Sequence, residues 1–262
     1  MKIKSANWMY IVAILPLLVV DFCLGMWLAR NKLWLVMLLG VFCLATVAWV
    51  FRKFREMPKS MDTYGEYRKA DLELPVEANV ELYWAEGMAQ FEFLSRIVEL
   101  ATPLFPKKDE PFKLMMNPKM REKYGDTFMK VAATRELESM RTYTSFKSMI
   151  GLVLPFEILA TGLLLVANFH LQLETVLGGF WVNMVGPFLV VAFFGLCLFF
   201  WNKRISKDDI RLDCYLLAHF SKEEIEEYIC ITEKMMEGGA KGKEFSEHYK
   251  NDRLIALKYH KK

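Results

Sequence analysis

The sequence predicts a mostly α-helical integral membrane protein with four spans, a helical cytoplasmic domain and at most a minimal β element. Three observations carry that expectation. Hydrophobic side chains make up 54% of the 262 residues and aromatic ones 14%, above the level of a soluble chain. The apolar residues are gathered into four blocks, at 8–29, 33–51, 149–169 and 180–201, each long enough for a bilayer span. Basic residues cluster at one side of those blocks. The net charge of +3 is too small to suggest a nucleic-acid partner; the partner implied by the blocks is the lipid bilayer.

In chain order, residues 1–7 form a short basic leader. Spans at 8–29 and 33–51 make a hairpin across the turn Arg30-Asn31-Lys32, so residues 1–55 form the first transmembrane unit. The first block is too long for a secretory signal, and no small-residue cleavage site follows it, so it reads as retained. Lys2, Lys4, Arg52, Lys53 and Arg55 put both ends of the hairpin in the cytoplasm, against Arg30 and Lys32 in the turn.

Residues 56–147 then read as a cytoplasmic helical domain. A linker over 57–71 contains Pro58 and Gly65. Residues 73–102 predict a long amphipathic helix: Val76, Val80, Tyr83, Trp84, Met88 and Phe91 recur at helical spacing, with Glu77, Glu81, Glu86, Glu92 and Glu99 as an acidic outer face. Such a face is either a docking stripe or the solvated side of a packed helix. Pro103, Pro106 and Pro111 interrupt the chain, and residues 112–116 are the best strand candidate. One or two helical turns follow at 118–124. Gly125 stops the helix and Asp126 can cap its restart. From there the chain runs as a helix with no expected break into the third span.

The second transmembrane unit is residues 148–201, with spans at 149–169 and 180–201. The loop at 170–179 has no Lys or Arg and should lie outside. Asn202-Lys203-Arg204 returns the chain to the cytoplasm. The tail, 202–262, is expected to pack on the 56–147 domain through a helix over 209–219, a helix over 221–236 and a final basic helix. Ser221 with Glu224 three residues on is a capping box for the second of these. Both termini are expected to be cytoplasmic. With no targeting segment evident, a bacterial inner membrane is the expected location.

Two carboxyl groups, Asp21 and Glu157, lie inside apolar blocks, near Pro16 and Pro155. An ionisable group at that depth is costly and is a functional candidate, or else a protonated carboxyl bonded across helices. The five cysteines show no CxxC or metal spacing and read as structural thiols.

The order of elements resembles the membrane-embedded zinc metallopeptidases of the HtpX and CAAX-prenyl-protease type. The run LMMNPKMREKYGDTFMKVAATRELESMRTYTSFKSM is similar to that family's strand, short helix, acidic cap and metal-binding helix leading to a span. IRLDCYLLA at 210–218 is similar to the segment bringing the third zinc ligand, and FSEHYKNDRLIALKYH to the family's closing helix. The likeness covers most of the chain from about Leu94 on.

In that family H-E-x-x-H places two imidazoles one helical turn apart, with the Glu between them acting as base on metal-bound water. The resemblance puts Arg135 and Ser139 at the histidine positions, Glu136 at the base position and Arg211 at the third ligand, with Asp213 two residues on. Arginine stays protonated and cannot coordinate zinc. The expectation is therefore a metallopeptidase-like protein that has lost its zinc site, needs no cofactor and does not cut peptides. It would serve as a scaffold or regulator that binds membrane-protein segments or a partner peptidase. Arg135 and Arg211 could ion-pair with Glu136, Glu138 and Asp213, joining two helices in place of the metal. Alternatively these are solvated surface charges.

Two rival readings remain. One is an active zinc endopeptidase with atypical ligands, such as His219, Asp213 and Glu136; the chain has only four histidines, His170, His219, His248 and His260, none paired at i, i+4. The other is an unrelated four-helix transporter-accessory or immunity-type protein using Asp21 or Glu157. The family's substrate-holding sheet edge is expected to be missing, because prolines leave room for only one strand between residues 102 and 117.

Overall fold

The structure is a computed structural model. It describes residues 64–89, 97–101, 111–144, 169–237 and 257–258 continuously, with single positions or pairs between 9 and 27 and between 146 and 166. The chain is mostly helical, with one small mixed sheet. It divides into two compact units, the first comprising Met1–Asn7, Met57–Ser145 and Ile205–Lys262, the second Trp8–Glu56 and Phe146–Arg204.

In the first unit the elements run β1 (Tyr67–Lys69), β2 (Val80–Ala85), a short helix α1 (Glu86–Ala89), β3 (Val98–Ala101), β4 (Phe112–Met116) and α2 (Pro118–Arg141). The sheet order is β1-β2-β4-β3. β1 and β2 are antiparallel, β2 and β4 parallel, and β3 and β4 antiparallel. The expected strand at 112–116 is present, as β4.

The long amphipathic helix expected over 73–102 is not: that stretch holds β2, α1 and β3. Val80, Leu82 and Trp84 alternate with Tyr83 and Ala85, so the same apolar residues satisfy a period of two as well as one of 3.6. The sheet resolves the ambiguity. Val80, Leu82 and Trp84 join the main core with Phe112, Leu114, Met116, Val98 and Leu100. Tyr83 and Ala85 face the other way, toward Tyr64, Met88, Ala101 and Met115. β-Branched and aromatic side chains suit such a pleated, two-sided surface. Between residues 102 and 117 the described residues hold one strand, as expected, but β1 forms in the expected linker and β2 and β3 in the expected helix, so the sheet has edges, at β1 and β3, where none was expected.

α2 is the main helix of this unit. Asn117 caps it, its Oδ1 accepting from the Lys119 N–H at 3.0 Å, with Pro118 in the first turn where its missing N–H costs nothing. Gly125 interrupts it at φ 84°, ψ 175°, where the sequence placed a stop. Beyond the break, Phe128, Val131 and Leu137 are buried in the core with Tyr228 and Ile229. The rings of Phe128 and Tyr228 stack at 5.5 Å. Truncating a side chain buried as fully as Phe128 costs about 3–5 kcal/mol.

α2 ends at Arg141, contrary to the unbroken run expected there. Tyr143 takes a left-handed φ of 54°, and its N–H donates to the Met140 carbonyl at 3.1 Å. A non-glycine residue in that conformation ends the helix.

In the second unit the described residues between 146 and 166 are helical. The stretch expected as a loop at 170–179 is instead largely a helix, α3 (His170–Leu177), followed by a π-helical turn, Trp181–Val185. α4 (Gly186–Leu217) then continues through residue 204, into the first unit, to Leu217. The two helices expected on either side of Asn202-Lys203-Arg204 are thus one. Among the described residues, one helix, Trp181–Leu217, is long and apolar enough to cross a membrane.

α5 (Lys222–Glu237) follows α4. Its capping box is formed as the sequence predicts. The Ser221 N–H donates to Glu224 Oε2 at 2.8 Å, and the Glu224 N–H donates to Ser221 Oγ at 3.3 Å.

Candidate interhelical site

The residues singled out in α2 and the second half of α4 meet around one guanidinium. Arg135 Nε donates to Asp213 Oδ1 at 3.0 Å, and its Nη2 to Asp209 Oδ1 at 2.7 Å. Asp209 and Asp213 stand four residues apart on α4, one helical turn, so both reach the same partner. The side chains are 13%, 8% and 1% exposed for Arg135, Asp209 and Asp213. Burial opposes the charge on Arg135. Asp213, Tyr228 and Asp209 outweigh it and hold the guanidinium above the ordinary arginine range.

Around this centre the other expected residues divide. Glu138 is buried in the next turn of α2 and takes both Arg141 Nε and Nη2 at 2.6 Å. That forked pair raises the proton affinity of Arg141, chiefly through the Glu138 hydrogen bonds. Burial, then the Glu138 charge, pushes the Tyr215 phenol of α4 up. Glu136 is half-buried on α2, next to Arg135. Ser139 is half-buried as well, and its carbonyl accepts from Thr142 Oγ1 at 3.3 Å.

Arg211 does not converge with Arg135. It is two residues from Asp209 and Asp213, so it lies on another side of α4. Its side chain is 43% exposed, reaches Asp208 at 3.6 Å and donates to Thr144 Oγ1 at 3.2 Å. Of the ion pairs considered for Arg135 and Arg211, the one between Arg135 and Asp213 forms; Asp209 supplies the second carboxylate, and Arg211 pairs within its own helix. His219 packs its ring on Tyr215 at 4.5 Å. Asp21, Glu157, His248 and His260 lie outside the described residues. Among the described residues, no group of three or more His, Cys, Asp or Glu side chains is placed to hold a metal.

Asp209 is the residue that sequence reasoning missed. The available signal was its spacing to Asp213, an i, i+4 carboxylate pair facing a helix that carries a buried arginine. What the arrangement can do chemically is hold two helices together by charge. The guanidinium has donors and no lone pair, so it can bind carboxylates but not a metal ion.

A second cluster lies nearer the sheet. Arg121 pairs with Asp71 at 2.8 Å and Asp126 at 2.6 Å, and its guanidinium lies 4.9 Å from the centre of the Trp84 ring. Trp84 Nε1 donates to the same Asp71 carboxyl at 3.2 Å. This group ties the approach to β2 onto the first turns of α2. Comparison of the chain with protein families, with curated proteins and with solved structures found no match.

Proposed function

We propose that the chain is a membrane-anchored, non-catalytic binding protein. It acts as a scaffold or regulator for membrane-protein segments or a partner peptidase, with four spans and cytoplasmic termini. The observation that carries this reading is the Arg135 centre. At the position where the resemblance puts the first metal-binding histidine, a charged guanidinium is engaged by two carboxylates of α4. A buried ion triad can join the helices there with a guanidinium in place of a metal ion.

Other features support the anchor. Phe188, Leu189, Val191, Leu196, Phe199 and Phe200 are large apolar side chains exposed along α4. A helix so apolar over much of its surface suits lipid. Trp27 and Phe169 approach within 5.7 Å, consistent with the first and third blocks ending at the same side. A Cβ on Gly151 would lie 3.1 Å from the Trp201 ring, consistent with a close hairpin between the third and fourth blocks.

Metal analysis and peptidase assay of the purified full chain test the reading. The expected result is less than stoichiometric zinc and no cleavage of an unfolded membrane-protein segment that binds. Stoichiometric zinc, lost in Glu136→Gln or His219→Ala together with cleavage, would replace the scaffold by an active endopeptidase.

A further inference from the structure

We infer that α3 lies in the membrane interface as an in-plane anchor, with the bilayer as its occupant, bonded to the π turn that begins the helix Trp181–Leu217. This rests on the membrane part of the reading above. Leu171, Val176, Leu177, Phe180, Trp181 and Met184 are 55–79% exposed. From residue 169 to residue 201 the sequence has a single charged side chain, Glu174.

The polar side chains of this segment are turned on one another. Asn183 bridges the helix and the turn: its Nδ2 donates to Glu174 Oε1 at 2.5 Å, and its Oδ1 lies 2.8 Å from His170 Nε2. His170 Nδ1 lies 3.8 Å from the other Glu174 oxygen. Asn183 stands within the π-helical turn, whose wider winding shifts its register relative to an α-helix.

The result is a short helix on which His170 and Glu174 bond to Asn183, beside exposed Gln172 and Thr175, while its large apolar side chains face out. In water that arrangement exposes hydrocarbon, while Glu174 keeps part of its exposure and the bond from Asn183. At the boundary between headgroups and acyl chains the hydrocarbon is covered, while the bonded polar groups stay at headgroup level and the carboxylate need not be desolvated. Phe180 and Trp181 supply aromatic rings of the kind that settle at that depth. A protein partner would meet a bounded stripe; here the apolar surface continues into α4, which marks lipid as the occupant.

Spin labels at single cysteines test this, in the full chain with its five natural cysteines replaced by alanine and reconstituted in phosphatidylcholine–phosphatidylglycerol vesicles. The positions are Val176→Cys and Leu177→Cys on α3, with Val191→Cys as a reference on α4. At 176 and 177, collision with oxygen should exceed collision with a water-soluble nickel chelate severalfold. Oxygen-dominated collision at 191 but chelate-dominated collision at both 176 and 177 would overturn the interfacial anchor and leave the span intact. Chelate-dominated collision at all three would overturn the span and the anchor together. Where only one α3 variant remains monodisperse, its collision ratio alone decides in the same way.

Discussion

Arg135 and Asp213, 78 residues apart in the chain, are joined by a hydrogen bond of 3.0 Å that leaves Asp213 almost without exposure. With Asp209 on the same guanidinium, the pair makes α4 and α2 one body of charge. Removing only the arginine strands two carboxylates in the interior. Arg135→Met should therefore cost about 3–5 kcal/mol of stability. The triple variant Arg135→Met, Asp209→Leu, Asp213→Leu should recover most of that loss, because hydrophobic packing can replace a buried ion group. Thermal unfolding of the solubilised full chain checks both. Equal loss in the single and triple variants would show that shape, not charge, joins the helices.

Gly87 sits against the backbone of Tyr64. A Cβ there would lie 2.2 Å from the Tyr64 carbonyl oxygen and 2.5 Å from its carbon. Neither atom is the end of a flexible side chain, so Gly87→Ala should cost about 3 kcal/mol through backbone displacement. Hydrogen exchange at the Glu86 N–H, which donates to the Glu66 carbonyl at 2.9 Å, should accelerate. Gly125 provides the contrast. It has nothing within 4 Å of a Cβ, but its φ of 84° and ψ of 175° form a conformation that essentially only glycine takes, so Gly125→Asn should destabilise through backbone strain rather than through a clash.

Acid should release the cluster around Arg121. Hydrogen bonds from Arg121, then from Trp84, hold the Asp71 carboxyl below the usual carboxylate range. A carboxylate depressed on folding stabilises fully above its unfolded pKa of about 3.9, and that part is lost as pH falls through the lower folded value. The Asp71→Asn variant should be less stable than the parent at neutral pH and show a shallower loss below about pH 4, so that the two curves converge in acid. Trp84 fluorescence against pH follows the transition. Parallel acid curves would show that another carboxylate governs it.

The capping box of α5 should follow the ordinary scale for such motifs. Ser221→Ala removes the acceptor for the Glu224 N–H and should cost about 1 kcal/mol. Glu224→Ala removes the acceptor for the Ser221 N–H. Because both bonds close one ring, the double variant should cost less than the sum of the singles. Exact additivity in denaturant unfolding would mean that the two bonds act independently.

Local chemistry was legible wherever one residue and its near neighbours decide the outcome. Gly125 stops a helix because only glycine takes that φ cheaply, and Ser221 with Glu224 announces a helix start without reference to anything distant. The helix with Arg135 was legible from its periodicity. Asp209 was not, because a carboxylate on an amphipathic helix reads as solvated until its neighbour is known. The error over residues 73–102 has the same origin. Val80, Leu82 and Trp84 fit two periodicities, and nothing within the segment says that β4 will lie alongside.

By itself, then, the sequence determined the helix that carries Arg135, its stop at Gly125, the cap at Ser221, the strand at 112–116 and the apolar blocks, all set by interactions within a few residues. Only the tertiary structure decided that 80–85 is a strand, that α4 continues past Arg204 to Leu217, and that Arg135 rather than Arg211 joins the helices. Those outcomes depend on which distant backbone supplies a hydrogen-bond partner and which distant charge is desolvated beside it. Neither quantity exists until the chain has folded.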